Sequence, residues 1–257
     1  MLDQMWKTPR SEVVYDLESD GLLDTMTKIH SLVLMDVETG TMLSCADQPG
    51  YTSIEDGVRI LNQAKLRIGH SVVGFDERAI RKVFPWWAPD GVSRVRDTVL
   101  CSRLIWTDIE VDDYAVMRKG TQLPGELIGT HKLAAWGYRM GILKGKFSET
   151  TDWKEWSKEM QEYCEQDVRV TAALWQRIKD KKYSERAIQL EHDFAVIIED
   201  MTEYGIGFNT AAAADLYAKL QPERAELIEK LRAQFPPGHR RDEDPGLLRV
   251  LGVSPAL

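Results

Sequence analysis

Short β-branched and apolar runs occupy the first part of the chain, and stretches with apolar residues at helical spacing occupy the rest. EVVYDL (residues 12–17) reads as a strand, as do IHSLVLMDV (29–37) and TMLSCA (41–46), with Glu38-Thr39-Gly40 as the turn between the last two. Three strands with short links predict an antiparallel meander. Ser53 stands where a helix N-cap belongs, ahead of apolar Ile54, Val58 and Leu61 and with Asp56 in the first turn. LRIGH (66–70) reads as a fourth, short strand. Helical spacing then covers 77–83, ending before Pro85, followed by 99–106 and by 131–140, with Gly141 as its C′ residue. The longest periodic stretch of this part is 153–178, where Trp156, Met160, Tyr163, Cys164, Asp167 and Thr171 fall near one face. Strands first, then strand and helix alternating, predict an α/β domain with a mixed sheet flanked by helices.

Beyond about Tyr183 the character changes. Residues 186–204 and 210–235 form two long amphipathic segments joined by Gly205-Ile206-Gly207-Phe208-Asn209, and Pro222 is expected to kink or restart the second. Pro236-Pro237-Gly238 ends it. The expected organisation is a disordered lead (1–11), a main domain (12–182), a helical segment (183–237) and a tail (238–257). The chain has no internal repeat.

Composition narrows the class. Hydrophobic residues at 43% and charged residues at 29% are ordinary for a globular protein. Cys45, Cys101 and Cys164 are odd in number and widely spaced, which excludes a disulfide framework and a zinc knuckle. No signal-type or membrane-length apolar run is present, so a cytoplasmic protein without a membrane partner is expected. A net charge of −8 argues mildly against nucleic acid, since phosphate binding usually brings a basic surface. Carboxylates that hold metal ions contribute to that acidic count, and a bound divalent cation reverses the local sign.

Three groups of residues carry chemistry. Asp16 and Glu18 lie two apart at the end of a strand and so point to the same face, where they repel unless a cation or proton intervenes. A solvated strand end is the alternative. GHSVVGFD (69–76) puts Phe75 in the core and Asp76 at the start of a helix, where an acid is equally at home as a cap. Tyr163 and Asp167 share a helix face, the phenol placed to orient a water near the carboxylate; a packed Tyr beside a solvated Asp is the other reading. Only the combination, in this order, is specific. Oxygen donors of this kind suit Mg²⁺ or Mn²⁺ rather than zinc, and two such ions suit phosphodiester hydrolysis.

With YDLESDGLL, GHSVVGFD and YCEQDVRVT in hand, the chain resembles the DEDD exonucleases of ribonuclease H-like fold in their tyrosine-bearing form. More narrowly it is similar to the N-terminal proofreading domain of A-family DNA polymerases from short-tailed bacteriophages. RDTVLCSRLI (96–105) and GTHKLAAWGYRMGILKGKF (129–147) share that similarity, which covers about residues 13–235. The resemblance implies two divalent ions, Mg²⁺ or Mn²⁺. Asp16, Glu18 and Asp167 would bind the first, Asp16 would bridge to the second, and Asp76 would support it through water. Tyr163 would position the attacking water. The expected substrate is the 3′ end of single-stranded or frayed DNA, trimmed one nucleoside monophosphate at a time in the host cytoplasm.

Leu22 and Leu23 could wedge the terminal base or simply pack in the core; His70, Ser71 and Phe75 complete the expected substrate contacts. Ser71 replaces the family's usual Asn, which shortens the reach of that contact. His131 is a candidate second base or a helix-start residue, and Trp86-Trp87 a stacking platform or buried packing. Arg118, Lys119, Lys144 and Lys146 could track a nucleic-acid backbone. The segment after residue 183 resembles the start of the polymerase half, running into the thumb. No palm or fingers follow, so no polymerase activity is expected from this chain, and a separate polymerase chain is a candidate partner. An exoribonuclease of the same superfamily and a non-catalytic docking module are the rival readings.

Overall fold

The computed structural model describes residue 6 and residues 10–87, 95–118, 120, 122–142 and 153–235. Contacts divide the chain into two compact units, Met1–Tyr204 and Gly205–Leu257.

The first unit is built on five strands: β1 (Glu12–Ser19), β2 (Ile29–Asp36), β3 (Met42–Cys45), β4 (Leu66–Gly69) and β5 (Val95–Asp97). Their order is β3-β2-β1-β4-β5. The first three form the expected antiparallel meander, and β4 and β5 then add in parallel beside β1. The helices of this unit are α1 (Ile54–Asn62), α2 (Asp76–Val83), α3 (Thr98–Ile105), α4 (Ile109–Met117), α5 (Leu133–Met140), α6 (Lys158–Asp180) and α7 (Glu185–Tyr204).

Alternation along β1 sorts the layers. Val13, Tyr15 and Leu17 face a core shared with Ile54, Val58 and Leu61 of α1 and Ala79 and Ile80 of α2. Val14 faces the opposite core, with Cys164, Val168, Leu174, Trp175 and Ile178 of α6 and Trp136 of α5. Because β1 is covered on both sides, its neighbours in the two cores are set by a period of two on the strand meeting a period of 3.6 on the helices. Asp16 and Glu18 therefore share the face of Val14, the side on which α6 packs across β1 and β2.

Local signals act as expected. Ser53 caps α1 by accepting from the Asp56 N–H at 3.1 Å. Gly141 closes α5 in the left-handed region at φ 70°. Ser157 caps α6 through the Met160 N–H at 3.1 Å, which starts that helix at Lys158, five residues after Trp153, rather than at it. Two elements have no counterpart in the sequence reading, β5 and α4. Of the lead, Trp6 is buried in the core, Arg10 pairs with Asp36 at 3.1 Å and the Ser11 carbonyl accepts from the Leu66 N–H at 2.9 Å; its other residues lie outside the described ones, as does the tail.

α7 belongs to the first unit although the change in sequence character falls near residue 183. His192, fully buried, accepts from the Asp97 N–H at 2.7 Å and sets its other ring nitrogen on the Ile188 carbonyl at 2.7 Å. Arg96 reaches Glu185 and Gln189, both at 3.1 Å, and Arg78 reaches Glu199 and Glu203. In the second unit α8 (Thr210–Gln234) starts at Asn209, which accepts from the Ala212 N–H at 2.9 Å. It runs continuously through Pro222 rather than restarting there. Among the described residues, no helix is long and apolar enough to cross a membrane.

Candidate active site

Strand register brings Asp16 opposite Val33 and Glu18 opposite Ser31, near the end of β1. Across from them, α6 presents Cys164 and Asp167 one turn apart on its buried face. One carboxylate oxygen each from Asp16 and Glu18 and the Cys164 Sγ all lie within 4.8 Å of one another. The Cys164 thiol donates to the Asp16 carbonyl at 3.3 Å, fastening α6 to β1 at this level. Burial, and then the charges of Asp16, Glu18 and Asp167, push that thiol well above the ordinary range, which places Asp167 in the same acidic neighbourhood.

Asp76 arrives from the other direction. β4 ends at Gly69, where an added Cβ would fall 2.0 Å from Val72 Cγ1 and 3.1 Å from the Tyr15 carbonyl oxygen. Only glycine lets the chain turn that tightly against β1. Ser71 follows in the left-handed region at φ 65°. Asn, the residue expected there from the resemblance, adopts that conformation more readily than Ser. The turn is held by Asp97, whose carboxylate accepts from Ser71 N–H at 3.0 Å, Val73 N–H at 3.2 Å and Val99 N–H at 2.9 Å.

The turn delivers Asp76 to the first position of α2 with 5% of its surface exposed. The capping alternative for this acid is not what the structure displays. Phe75 occupies the cap position, without a side-chain capping bond. The Asp76 Oδ1 is buried and has no hydrogen-bond partner among the described residues. Burial, and then the charges of Asp16 and Asp97, push its carboxyl well above the ordinary carboxylate range. Such an oxygen, beside a second carboxylate, fits a site that takes a cation.

Glu77, the next residue, is buried on the opposite side and anchors the turn of helix that carries Asp76. It accepts from the Tyr15 hydroxyl at 2.8 Å, from Arg67 Nε at 2.9 Å and from the Trp87 indole at 3.3 Å. The Arg67 guanidinium, with no exposed surface, also lies over the Trp87 ring at 5.2 Å. Burial, then Glu77, then Asp76 hold the Tyr15 hydroxyl well above its usual range, keeping it a donor.

Tyr163 is half-buried and meets the Trp153 ring edge-on at 6.4 Å. The Trp153 carbonyl in turn lies 3.1 Å from His30 Nε2. The expected substrate contacts separate. Leu22 is 76% exposed, whereas Leu23 packs partly against the core, so the two leucines do different things. His70 is half-buried with its Nδ1 on the Thr98 hydroxyl at 2.8 Å, Ser71 is exposed and Phe75 is half-buried against the core.

Other candidates lie elsewhere. His131 sits on Ser102 at 3.0 Å and against Trp136. Trp87 is buried, while Trp86 is partly exposed under Arg59, so the pair is not a two-ring platform. Lys119, Lys144 and Lys146 lie outside the described residues. The sequence reading missed Glu77, Asp97 and Cys164. Asp97 had a signal, an acid directly before the first residue of a helix. Glu77 had none, since its three donors come from other elements.

No protein-family model matches the chain. It is 29% identical to the DNA-directed DNA polymerase of Escherichia phage T7 over 261 residues, 87% of this chain and 37% of that enzyme. To the DNA-directed DNA polymerase of Enterobacteria phage T3 it is 30% identical over 263 residues, again 87% of this chain and 37% of the relative. The chain thus spans little more than a third of the length of these relatives. Among solved structures, one described as the apo form of the nuclease matches with a TM-score of 0.55 and 17% identity, over 78% of this chain and 86% of its own. Brucella melitensis NrnC, solved also with pGG and with Mg²⁺, matches with a TM-score of 0.51 and 19% identity, over 76% of this chain and 86% of its own. Sequence and architecture therefore agree: over 87% of its length the chain is a homologue of part of the phage T7 and T3 DNA polymerases, and its mixed five-stranded sheet flanked by helices has the ribonuclease H-like fold.

Proposed function

We propose that the chain is a divalent-metal-dependent 3′→5′ exonuclease that removes nucleoside monophosphates from DNA 3′ ends, as a proofreading activity in phage DNA replication. One observation carries the reading: Asp16, half-buried beside Glu18 on β1, is the charge that bears most on a buried carboxylate, Asp76, whose Oδ1 lacks a hydrogen-bond partner among the described residues. Asp16 and Glu18 are half-buried and Asp76 is buried, so water screens their charges only in part, and a cation would balance them. Homology to phage polymerases and a solved NrnC with bound Mg²⁺ support the same direction.

Asp16, Glu18, Asp76 and Asp167 would hold the ions, two in number by the resemblance. When bound, such ions supply Lewis-acid stabilisation of the charge that builds on the phosphate oxygens. The remaining work falls to the chain. Tyr163, braced by the edge of Trp153, would present its hydroxyl to the attacking water. The Asp97 carboxylate fixes the turn from Ser71 to Val73, and the Glu77 network fixes the first turn of α2. Exposed Leu22 is the residue suited to lean on a terminal base, while Leu23 keeps its loop on the core. His70, Ser71 and Phe75 would line the approach. The segment after residue 183 would, by the same resemblance, begin a polymerase thumb, with a polymerase chain as partner.

The test is a 5′-labelled single-stranded DNA incubated in Mg²⁺ or Mn²⁺, beside EDTA and Asp16→Ala controls. A ladder shortening from the 3′ end, absent in both controls, supports the reading; a folded protein that shortens nothing with either ion refutes it. A second reading, an exoribonuclease, is favoured by one fact: NrnC, which shares the fold, has been solved bound to pGG. Matched DNA and RNA oligonucleotides separate the two, because discrimination must come from contacts at the sugar 2′ position.

A further inference from the structure

The sulfur in the carboxylate cluster has no place in the reading above. Asp16, Glu18 and Asp167 are hard oxygen donors suited to Mg²⁺ or Mn²⁺. Cys164 is a soft donor whose Sγ lies within 4.8 Å of ligand oxygens from both Asp16 and Glu18. Its position is fixed rather than incidental, because α6 is pinned there by the thiol's own bond to the Asp16 carbonyl. The independent sign that this neighbourhood takes a cation is Asp76, 5% exposed, with its Oδ1 lacking a hydrogen-bond partner among the described residues.

We infer that the site has a second coordination mode, in which a thiophilic divalent cation such as Zn²⁺ or Cd²⁺ is held by Asp16, Glu18 and the Cys164 thiolate. This rests on Asp16 and Glu18 being cation ligands. Thiolate is the sulfur form that binds metals, so binding releases the thiol proton to buffer and no electrons move. Zinc–sulfur bonds of about 2.3 Å and zinc–oxygen bonds of about 2.0–2.2 Å place donor atoms about 3.5 Å apart in a tetrahedral site. The three donor atoms, within 4.8 Å of one another, would draw in to that spacing, and the thiol would give up its bond to the Asp16 carbonyl with its proton. Mg²⁺ gains nothing from sulfur, whereas Zn²⁺ and Cd²⁺ gain a strong bond. The consequence is a site that Mg²⁺ or Mn²⁺ enters through oxygens alone, and that thiophilic ions enter more tightly and displace them.

The full chain, freed of metal with chelator, is titrated with Cd²⁺ while the sulfur-to-cadmium charge-transfer absorption in the ultraviolet is recorded. The expected result is one equivalent of the band in the native chain and none in Cys164→Ala, Cys164→Ser or Asp16→Asn. The other two cysteines, Cys45 and Cys101, are buried with thiols pushed up to about 12, and they remain in all three variants as internal controls. Apparent Zn²⁺ affinity, read by thermal shift, falls about tenfold or more in both cysteine variants. A band that persists in Cys164→Ala, or that disappears there yet survives in Asp16→Asn, overturns the inference, as does Cd²⁺ binding to the native chain without a band. The readout needs no nucleic acid. A missing band beside DNA shortening in Mg²⁺ would therefore sink this mode alone, and a band without shortening would sink only the exonuclease.

Discussion

Replacing Asp76 by Asn should make the metal-free protein more stable, although it removes a proposed ligand. The native carboxylate is buried, its Oδ1 has no hydrogen-bond partner among the described residues, and Asp16 adds like-charge repulsion. Leaving a buried polar atom unsatisfied costs about 1–3 kcal/mol, and more when it is charged. Asn keeps the shape, removes the charge and adds an N–H₂ that can donate toward Asp16. For a unit of this size each kcal/mol moves Tm by about 2–4 °C, so Asp76→Asn should melt roughly 2–12 °C higher in EDTA. The pH dependence fixes the cause. A carboxyl whose folded pKa is raised above the unfolded 3.8 costs nothing below that value. Its cost grows as pH rises toward the folded pKa and is complete above it. The advantage of the Asn variant should therefore be large near pH 8 and shrink toward pH 4. Mg²⁺ or Mn²⁺ should reverse the order, because ligand at about 100 times its Kd adds about 2.7 kcal/mol to the native chain and less to the variant. Differential scanning fluorimetry in EDTA and in metal, across pH, reads all of this. A variant that melts at or below the native chain in EDTA near pH 8 would refute the reasoning.

Tyr15→Phe removes a donor to the buried Glu77 carboxylate, and should lower stability by about 1.5–3 kcal/mol in urea denaturation; no loss would mean that the network does not hold α2. Gly69→Ala puts a methyl group into Val72 and the Tyr15 carbonyl and should cost about 1–3 kcal/mol, with weaker Mn²⁺ binding by calorimetry because the turn carrying Asp76 must shift. Burial holds His192 neutral below its ordinary value of 6.5. Above that value it contributes no pH dependence, and below it the unfolded chain takes up the proton first, so stability falls as the solution is acidified. His192→Ala should flatten that acid limb in a Tm-against-pH series and cost about 1–3 kcal/mol by orphaning the Asp97 N–H; an unchanged limb assigns it to other groups.

The strands and α6 were legible because β-branched and apolar side chains alternate between two cores along β1 and repeat along one buried face of α6. In β1 the alternation of Val13, Tyr15 and Leu17 with Val14, Asp16 and Glu18 is enough to place both acids on the α6 side. β5 has only three residues, Val95, Arg96 and Asp97, too few for any period to register. α4 (IEVDDYAVM) interrupts its apolar positions with acids, one of which, Asp113, is buried because Arg139 reaches it with two bonds of 2.7 Å. The same reason hid Glu77 and Arg67. Each reads as surface charge until its partner arrives from another element, and that pairing is decided by tertiary packing. Pro222 does not restart its helix for a different cause: a proline lowers helix propensity locally, but a long helix can carry it.

The bond from Asp97 to His192 bears on where this protein can be divided. A change of composition near residue 183 invites a cut there, yet α7 beyond it supplies the acceptor for the Asp97 N–H and the counter-ions of Arg78 and Arg96. A fragment ending at 182 would expose those groups directly behind the turn that carries Asp76. One ending at Tyr204 would keep them. The smallest piece that could be transplanted, fused or inherited as a working module is therefore longer than its sequence motifs, and its last helix is a structural part rather than a linker.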